Sequence, residues 1–417
     1  MRRYLVLLFL LFFLKNNLSA QQQLTVTQCE ELLQKNNLYL LAEQYNIDAS
    51  KAALIQAKIW EQPYFSGEIN AINPADNRYF DAGKNGQKSF AIQQLIYLGG
   101  KKRNEVAFAK SNIILSELQY EQLLRSLKFQ LAQSFYTIYY DQIKANSIRT
   151  QINSIDSLTK AYETQVSKGN IPLKDLVRLQ SLSISLKNEL MEIDKNILQE
   201  QQNLRLLTSA ESPIIPIISD TNNMATLLNK PMPNVSNIEQ LAVEKNTDYL
   251  YYQKVAESNE LMLKWQKSMA VPDLNIGAAY DQRGGAFNNQ VGLTFGIPLP
   301  LWNQNKGNIQ AAKVQVMQSK TLKEQKLQEL KYGIQTSYEI LQQQRNLYHQ
   351  FSVNVTQNMQ KVYEGFLYNF HKKNVSLIEF TDFMESYNQT IVSFNEMKKN
   401  IVVSGENINF LANEKIF

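Results

Sequence analysis

Cysteine is almost missing from this chain: Cys29 is the only one in 417 residues, which excludes an intrachain disulfide and a cysteine-based metal site. Histidine is nearly as scarce. His349 and His371 stand without carboxylates at ligand spacing, so each reads as a helix-surface residue rather than a metal ligand. Glycine (15) and proline (10) are sparse for the length, and so few breakers favour long helices. No stretch beyond the N-terminus has the ~18 consecutive apolar residues of a membrane-spanning helix. Mean hydropathy is -0.34, so most of the chain is built for water. A mature protein that enters a membrane must therefore enter it by strands. Phosphate loops, dinucleotide fingerprints and Ser/His/Asp patterns are missing too. The chain reads as a non-enzyme without cofactor or metal.

What is present starts with an export signal over residues 1–20. Arg2 and Arg3 form its charged region, Tyr4 to Leu14 its apolar region, and Leu18-Ser19-Ala20 its small-residue cleavage site. Without Arg2, Arg3 and Lys15 the formal charge falls from +5 to +2, so no nucleic-acid partner is expected. Cys29 lies too far past Ala20 to be a lipid anchor and reads as a buried helix residue.

Residues 27–60 read as one helix, with Thr27 and Glu30 as a capping box. Leu32, Leu33, Leu40, Leu41, Ile47, Leu54 and Ile55 form its apolar stripe. Two alternating strands come next, near 64–70 and 89–96, around a polar loop from Pro74 to Gln87. From Lys101 to Lys168 there is neither proline nor glycine, which allows a helix of roughly 100 Å. Leu124, Leu127, Leu131, Ser134 and Ile138 give it coiled-coil spacing. Gly169, Asn170 and Pro172 make a turn, with glycine past one helix end and proline in the first turn of the next. The return helix runs to about Thr208 and carries the seam Leu179, Leu182, Leu186, Leu190, Ile193 and Ile197. Tyr39, Tyr139 and Tyr140 read as packing residues.

Residues 209–236 hold four of the ten prolines and read as a linker crossing the outside of the structure. The pattern then repeats at an offset of about 203 to 210 residues. LLQKNNLYL is matched by LAVEKNTDYL, and SKGNIPLKDL by HKKNVSLIEF. Strands fall near 274–280 and 289–297, then a second long helix runs to about Lys372 and a return helix to about Ala412. The first half is thus 21–208 and the second 237–417. In the fourth strand Val291, Leu293, Phe295 and Ile297 share an apolar face, opposite Gly292, Thr294 and Gly296. Pro298 and Pro300 end pairing, Asn303 or Asn305 caps the long helix, and the helical pattern resumes at Gly307. Four strands of this length and period suit a transmembrane barrel, but they close one only by association, three chains giving twelve strands.

The duplicated halves, the segment GIPLPLWNQNKGNIQAAK and the two turns resemble the TolC-like outer-membrane efflux proteins over essentially the whole mature length. The segment PLPLWNQNKGNI is most similar to the branch paired with heavy-metal and multidrug resistance-nodulation-division pumps. The resemblance implies a mainly α homotrimer with a small β part: a twelve-stranded barrel in outer-membrane lipid, continued by a helical coiled-coil tunnel through the periplasm. It also implies an exit duct that serves a periplasmic adaptor and an inner-membrane pump. The helix-tip turns, Gly169, Asn170 and Pro172 with Lys373 and Asn374, would then dock the adaptor, and His371 would face it. The pore gate maps to Glu379 and Asp382, which share a helix face and would form rings of carboxylates in a trimer. The family has glycine where Lys373 stands, which implies a tighter or shifted second turn. The competing reading is a soluble periplasmic coiled-coil adaptor or scaffold, which leaves the four apolar-faced strands unexplained.

Overall fold

A computed structural model of the chain describes residues 22–73, 77–84, 86–218, 228, 230–284 and 286–417, without the side chains of 352–357. The expected export signal lies outside the described residues. The elements in order are β1 (Gln22–Leu24), α1 (Val26–Asn36), α2 (Leu38–Lys58), β2 (Tyr64–Ile69), β3 (Ile72–Asn73), β4 (Arg78–Tyr79), β5 (Gln87–Ile96), α3 (Lys101–Ser167) and α4 (Leu173–Thr208). Then come β6 (Ile214–Pro216), α5 (Val235–Lys245), α6 (Thr247–Ser268), β7 (Leu274–Arg283), β8 (Phe287–Gly296), α7 (Lys306–His371) and α8 (Leu377–Ala412). A pair of short helices, a strand pair, a long helix and a return helix thus occur twice. The chain divides into two compact units, and each draws segments from both halves. The long helices α3 and α7, of 67 and 66 residues, contribute to both units.

The first unit comprises the chain up to Leu41, Gln122–Asn246 and Leu330–Phe417, and it is helical. Leu127, Leu131, Ser134 and Ile138 of α3 are buried, as are Leu179, Leu182 and Leu186 of α4. A charged cluster is set among them. Lys144, itself buried, pairs with Asp141 at 2.6 Å and with Glu396 of α8 at 3.1 Å. Burial opposes the Lys144 charge, but the two carboxylates prevail and hold its pKa above the usual lysine value. Cys29 is fully buried, and burial pushes its thiol up to about 12.

The helix expected over 27–60 is instead two helices, broken at Asn37. Its cap is also two residues earlier: Thr25 and Gln28 form the capping box, with Thr25 N–H donating to Gln28 Oε1 at 2.9 Å. Asn37 causes the break. Its Oδ1 accepts from the amides of Tyr39 and Leu40, capping α2, while its Nδ2 donates to Leu207 O at 2.9 Å. Asn246 stands at the matching break between α5 and α6, its N–H bonded to Ala242 O, and its Nδ2 donates to Leu411 O at 2.8 Å. Each buried asparagine therefore ties a helix break to the C-terminal turn of its own return helix. Of the expected stripe, Leu33, Leu40 and Ile47 are buried but Leu41 and Ile55 are exposed. Tyr39 is also exposed, not packed; Tyr140 is buried.

The segment expected as a bare linker is partly ordered by pairing. Its β6 pairs in parallel with β1, and Ile214 is fully buried, its N–H and C=O both bonded to the side chain of Gln201. Residues 219–227 and 229 of that segment lie outside the described residues.

The second unit, Ala42–Glu121 with Thr247–Glu329, holds a four-stranded antiparallel sheet in the order β2-β5-β7-β8. β5 and β8 start earlier and β7 ends later than expected, β7 and β8 reaching 10 residues each, while β2 stops at Ile69, short of the expected end. A small β3–β4 hairpin occupies part of the expected loop. Register places Phe65 opposite Ile92, Ile92 opposite Ala278 and Ala278 opposite Leu293, with Ile276 opposite Phe295. These share one face with Phe90, Tyr280 and Val291. On the other face Ser66, Ala91, Ala279 and Gly292 form one row and Glu68, Ser89, Asp281 and Gln290 another.

Replacing Asn37 by alanine removes a helix cap and leaves the Leu207 carbonyl without that donor. The expected loss is about 1–3 kcal/mol, read as a lower denaturation midpoint, with a similar loss for Asn246→Ala. Unchanged midpoints would show that the breaks are held by packing alone.

Candidate functional site

The two helix tips lie in the first unit and share one core. Ile148, Ile152, Ile155 and Leu158 of α3 pack with Leu179, Leu182 and Leu186 of α4 and with Tyr363, Phe370, Phe380, Met384 and Tyr387 of α7 and α8. The first tip is aliphatic. The second is closed by an aromatic ladder that the sequence did not single out. Phe370 stacks on Phe380 and Phe366 on Phe383 at 4.2 Å between ring centres, and Tyr363 on Tyr387 at 4.7 Å. The helical spacing of these rings on either side of the turn is the signal that marks them.

Both turns have the same shape. Gly169 and Lys373 adopt the left-handed conformation, at φ of 72° and 63°. Asn170 N–H reaches Gln165 O, and Asn374 N–H reaches Asn369 O, both at 2.9 Å. Gly169 N–H reaches Val166 O at 2.9 Å and Lys373 N–H reaches Phe370 O at 3.0 Å. This bond pair is the Schellman motif at each tip. The second turn is therefore neither tighter nor shifted; lysine accepts the strained conformation that glycine takes freely. Pro172 sits one residue ahead of α4 as its N-cap and makes no side-chain cap bond. The tip residues Gly169, Asn170, Pro172, Lys373 and Asn374 are all exposed.

Glu379 and Asp382 are both exposed on the first turns of α8. Glu379 already has a local role. Its Oε2 accepts from Ser376 N–H at 2.8 Å while Ser376 Oγ accepts from Glu379 N–H at 3.2 Å, a capping box. The Ser376 backbone N–H, and then its hydroxyl, hold the Glu379 carboxyl below the usual glutamate value. The charged form is therefore secure at neutral pH, and its contribution to the cap is lost only as pH falls through that lowered value. The equivalent positions at the first tip are Asp175 and Arg178, so the sign of the second charge is reversed there. His371 lines an open groove of about 430 Å³ with Thr150, Asn153, Ser154, Ser157 and Leu367. His349 is exposed on α7, with Nε2 3.0 Å from Leu228 O. Among the described residues no cluster of three or more His, Cys, Asp or Glu side chains is placed to hold a metal.

The strand-to-helix joint lies in the second unit. Pro298 and Pro300 are exposed just past the end of β8. Of the asparagines, Asn305 carries the turn. It has φ of 55°, its C=O accepts the first helical bond from Ile309, and its Nδ2 donates to Gln266 O at 2.7 Å. Asn303 assists, its Oδ1 accepting from Asn305 N–H at 3.2 Å. Gly307 is in the helix, and a Cβ there would meet nothing within 4 Å. The joint in the other half is built differently. Gly99 and Gly100 take positive φ, a Cβ on Gly99 would lie 2.7 Å from Val271, and buried Lys101 pairs with Asp273 at 2.7 Å.

No protein-family model matches the chain. It is 20% identical over 293 residues to the cobalt-zinc-cadmium resistance protein CzcC of Cupriavidus metallidurans, covering 70% of this chain and 67% of that protein. Its fold matches CusC, whose crystal structures describe transmembrane channel formation, with a TM-score of 0.72 at 14% identity, over 95% of this chain and 94% of CusC. It also matches the outer membrane channel CmeC of Campylobacter jejuni, with a TM-score of 0.71 at 16% identity, over 94% and 87% of the two chains.

Returning glycine to the second tip, Lys373→Gly, should relieve the left-handed lysine. The gain is about 1 kcal/mol, seen as slower hydrogen exchange in the segment around Phe370 and Phe380. Faster exchange would mean that the lysine side chain stabilises the turn.

Proposed function

We propose that this chain, whose fold is that of the TolC-like outer-membrane channels, is the outer-membrane exit duct of a tripartite efflux system. The observation that carries the reading is the sheet. Phe65, Phe90, Ile92, Ile276, Val291, Leu293 and Phe295 lie on one face and are 37 to 87% exposed, while the opposite face is small and polar. A soluble protein rarely leaves so continuous an apolar surface bare, and lipid covers it without cost. Trp60, Tyr97 and Trp302 lie just beyond strand ends, where an aromatic girdle meets lipid headgroups. A soluble coiled-coil adaptor has no use for such a face.

In this reading three chains pair their β2 and β8 edges into a twelve-stranded barrel. The helical unit forms a periplasmic duct, and the tips at Gly169 to Pro172 and Lys373 to Asn374 meet an adaptor that connects to an inner-membrane pump. The similarity to a cobalt-zinc-cadmium resistance protein favours metal ions as the exported class. In this reading transport through the duct is passive, driven by the inner-membrane pump. Glu379 and Asp382, repeated around the axis, line the entrance as carboxylate rings that favour cations.

Membrane residence is tested by fractionation and heat-modifiable migration, which should place the chain in the outer membrane as a trimer; a soluble monomer overturns the reading. Leu293→Arg should cost about 2–4 kcal/mol of barrel stability, while Thr294→Arg on the lumen side should cost far less. Equal losses would mean that the two faces are not lipid and lumen. For the gate, Glu379→Gln keeps the capping box and removes the charge. Combined with Asp382→Asn it should weaken block by multivalent cations in single-channel recordings. Unchanged block would take both carboxylates out of the pore.

A further inference from the structure

The two ends of the four-stranded sheet differ. At one end lie the joints to the long helices; at the other, β2 is connected to β5 and β7 to β8. The β7–β8 connection spans only 284–286, whereas the β2–β5 connection spans 70–86 and carries the β3–β4 hairpin. Part of the longer connection folds back onto the sheet. Lys88 and Gln282 are register partners one row beyond Phe90 and Tyr280, on the same apolar face. Lys88 Nζ donates to Ala82 O at 3.0 Å, and Gln282 Nε2 donates to Gly83 O at 2.8 Å and Lys84 O at 2.9 Å. Residues 82–84 therefore form a strap over that face, just past its last aromatic row, and they leave Gln282 only 4% exposed.

Charge is sorted across this end of the sheet. Glu68 and Asp281 are on the opposite face, where Asp281 pairs with Arg283 at 3.4 Å. The strap side carries Lys84 and Lys88. Lys84 is exposed, Lys88 directs one N–H to Ala82 O, and among the described residues neither has a carboxylate within ion-pair distance. Asp81, the acidic residue that leads into the strap, is buried with its Oδ1 against Gly86 and presents no carboxylate to the outer surface. The Tyr280 hydroxyl lies 3.1 Å from Gln282 Oε1 and 2.8 Å from Asn289 Oδ1. The apolar face thus ends in a polar layer topped by positive charge, the order of surfaces that hydrocarbon and then anionic headgroups require. The β7–β8 connection has no lysine or arginine to match.

We propose that this strap binds the phosphate groups of lipid headgroups at the outer surface of the membrane, with Lys84 and Lys88 as the cations that hold them. A lipid phosphate supplies the anion that the chain itself withholds from both lysines. The site is continuous with the lipid-facing side of the sheet and rests on that reading. It adds the headgroup chemistry, and it makes the first strand pair the one that fixes the depth of the chain in the membrane.

The test is native mass spectrometry of the full-length chain in a neutral detergent with added phosphatidic acid or phosphatidylcholine. Phosphatidic acid, whose headgroup is a bare phosphate monoester, should be retained in preference; equal retention of the two lipids overturns the proposal. The Lys84 side chain makes no internal bond, so its variants keep the fold. Lys84→Ala should weaken retention of phosphatidic acid about fivefold and Lys84→Glu more, while Lys84→Arg keeps it. Glu68→Gln, on the opposite face, should leave it unchanged. Undiminished retention by Lys84→Glu overturns the proposal, and so does displacement of the lipid by inorganic phosphate, which would make this a site for the free ion. In vesicles, a fluorophore on the cysteine of Lys84→Cys, in a Cys29→Ser chain, should be quenched by a nitroxide on the lipid headgroup; quenching by aqueous iodide alone places the strap in water and overturns it. A chain that fractionates away from the outer membrane overturns the duct reading as well, whereas an outer-membrane chain whose lipid retention ignores Lys84 loses only the strap.

Discussion

Backbone hydrogen bonding along β2 and β8 is the constraint on which the rest depends. These are the edges of the four-stranded sheet, and an edge in lipid leaves N–H and C=O groups without water to satisfy them. A soluble sheet blunts its edges with charge, bulges or cover. Here β8 instead presents Val291, Leu293 and Phe295. A strand that is both unpaired and apolar is stable in a bilayer only when another strand pairs with it. The lipid reading of the face and the multi-chain reading of the barrel are therefore one statement about unsatisfied peptide groups.

Duplication then sets how the rest is built, and the two halves are not equal copies. Helix breaks are held alike, by Asn37 and Asn246, each reaching back to the last turn of its return helix. The joints between strand and long helix are not alike: one rests on Gly99, Gly100 and the Lys101–Asp273 pair, the other on Asn305 and its bonds to Gln266. The tips share a turn geometry but differ in core, aliphatic in the first and an aromatic ladder in the second. Shared backbone geometry with divergent side chains is what selection on shape, with free choice of packing, leaves behind.

Much of this was legible in the sequence because it rests on periodicity. Seams at three- and four-residue spacing located the long helices, and alternation assigned the faces of β8 residue by residue. The misses are places where a side chain overrides the local pattern. Asn37 lies inside an unbroken helical rhythm, and only its bond to Leu207, far along the chain, shows that it interrupts it. Lys373 in place of glycine pointed to an altered turn, yet the Schellman bonds at Phe370 and Asn369 outweigh the cost of one strained residue. The prolines around Ile214 read as a linker because parallel pairing with β1 leaves no periodic trace over three residues. For Glu379 the pattern located a carboxylate at the start of the return helix but not its capping bond to Ser376, which gives it a local occupation beside any role in a pore.

The centre of the sheet is the pair β5–β7, and it joins the two halves: Gln87 lies opposite Arg283 and Ile96 opposite Leu274. Neither half contains a complete sheet of its own. A chain delivered N-terminus first must hold β2 and β5 as an isolated hairpin until the second half has arrived, because the strand that covers β5 does not yet exist. An isolated hairpin is only marginally stable in water, and pairings across such separations form slowly. The interval between export and completion of β7 is therefore when Phe65, Phe90 and Ile92 stand bare to other chains. Aggregation during biogenesis, more than unfolding of the finished protein, is where this architecture is most vulnerable.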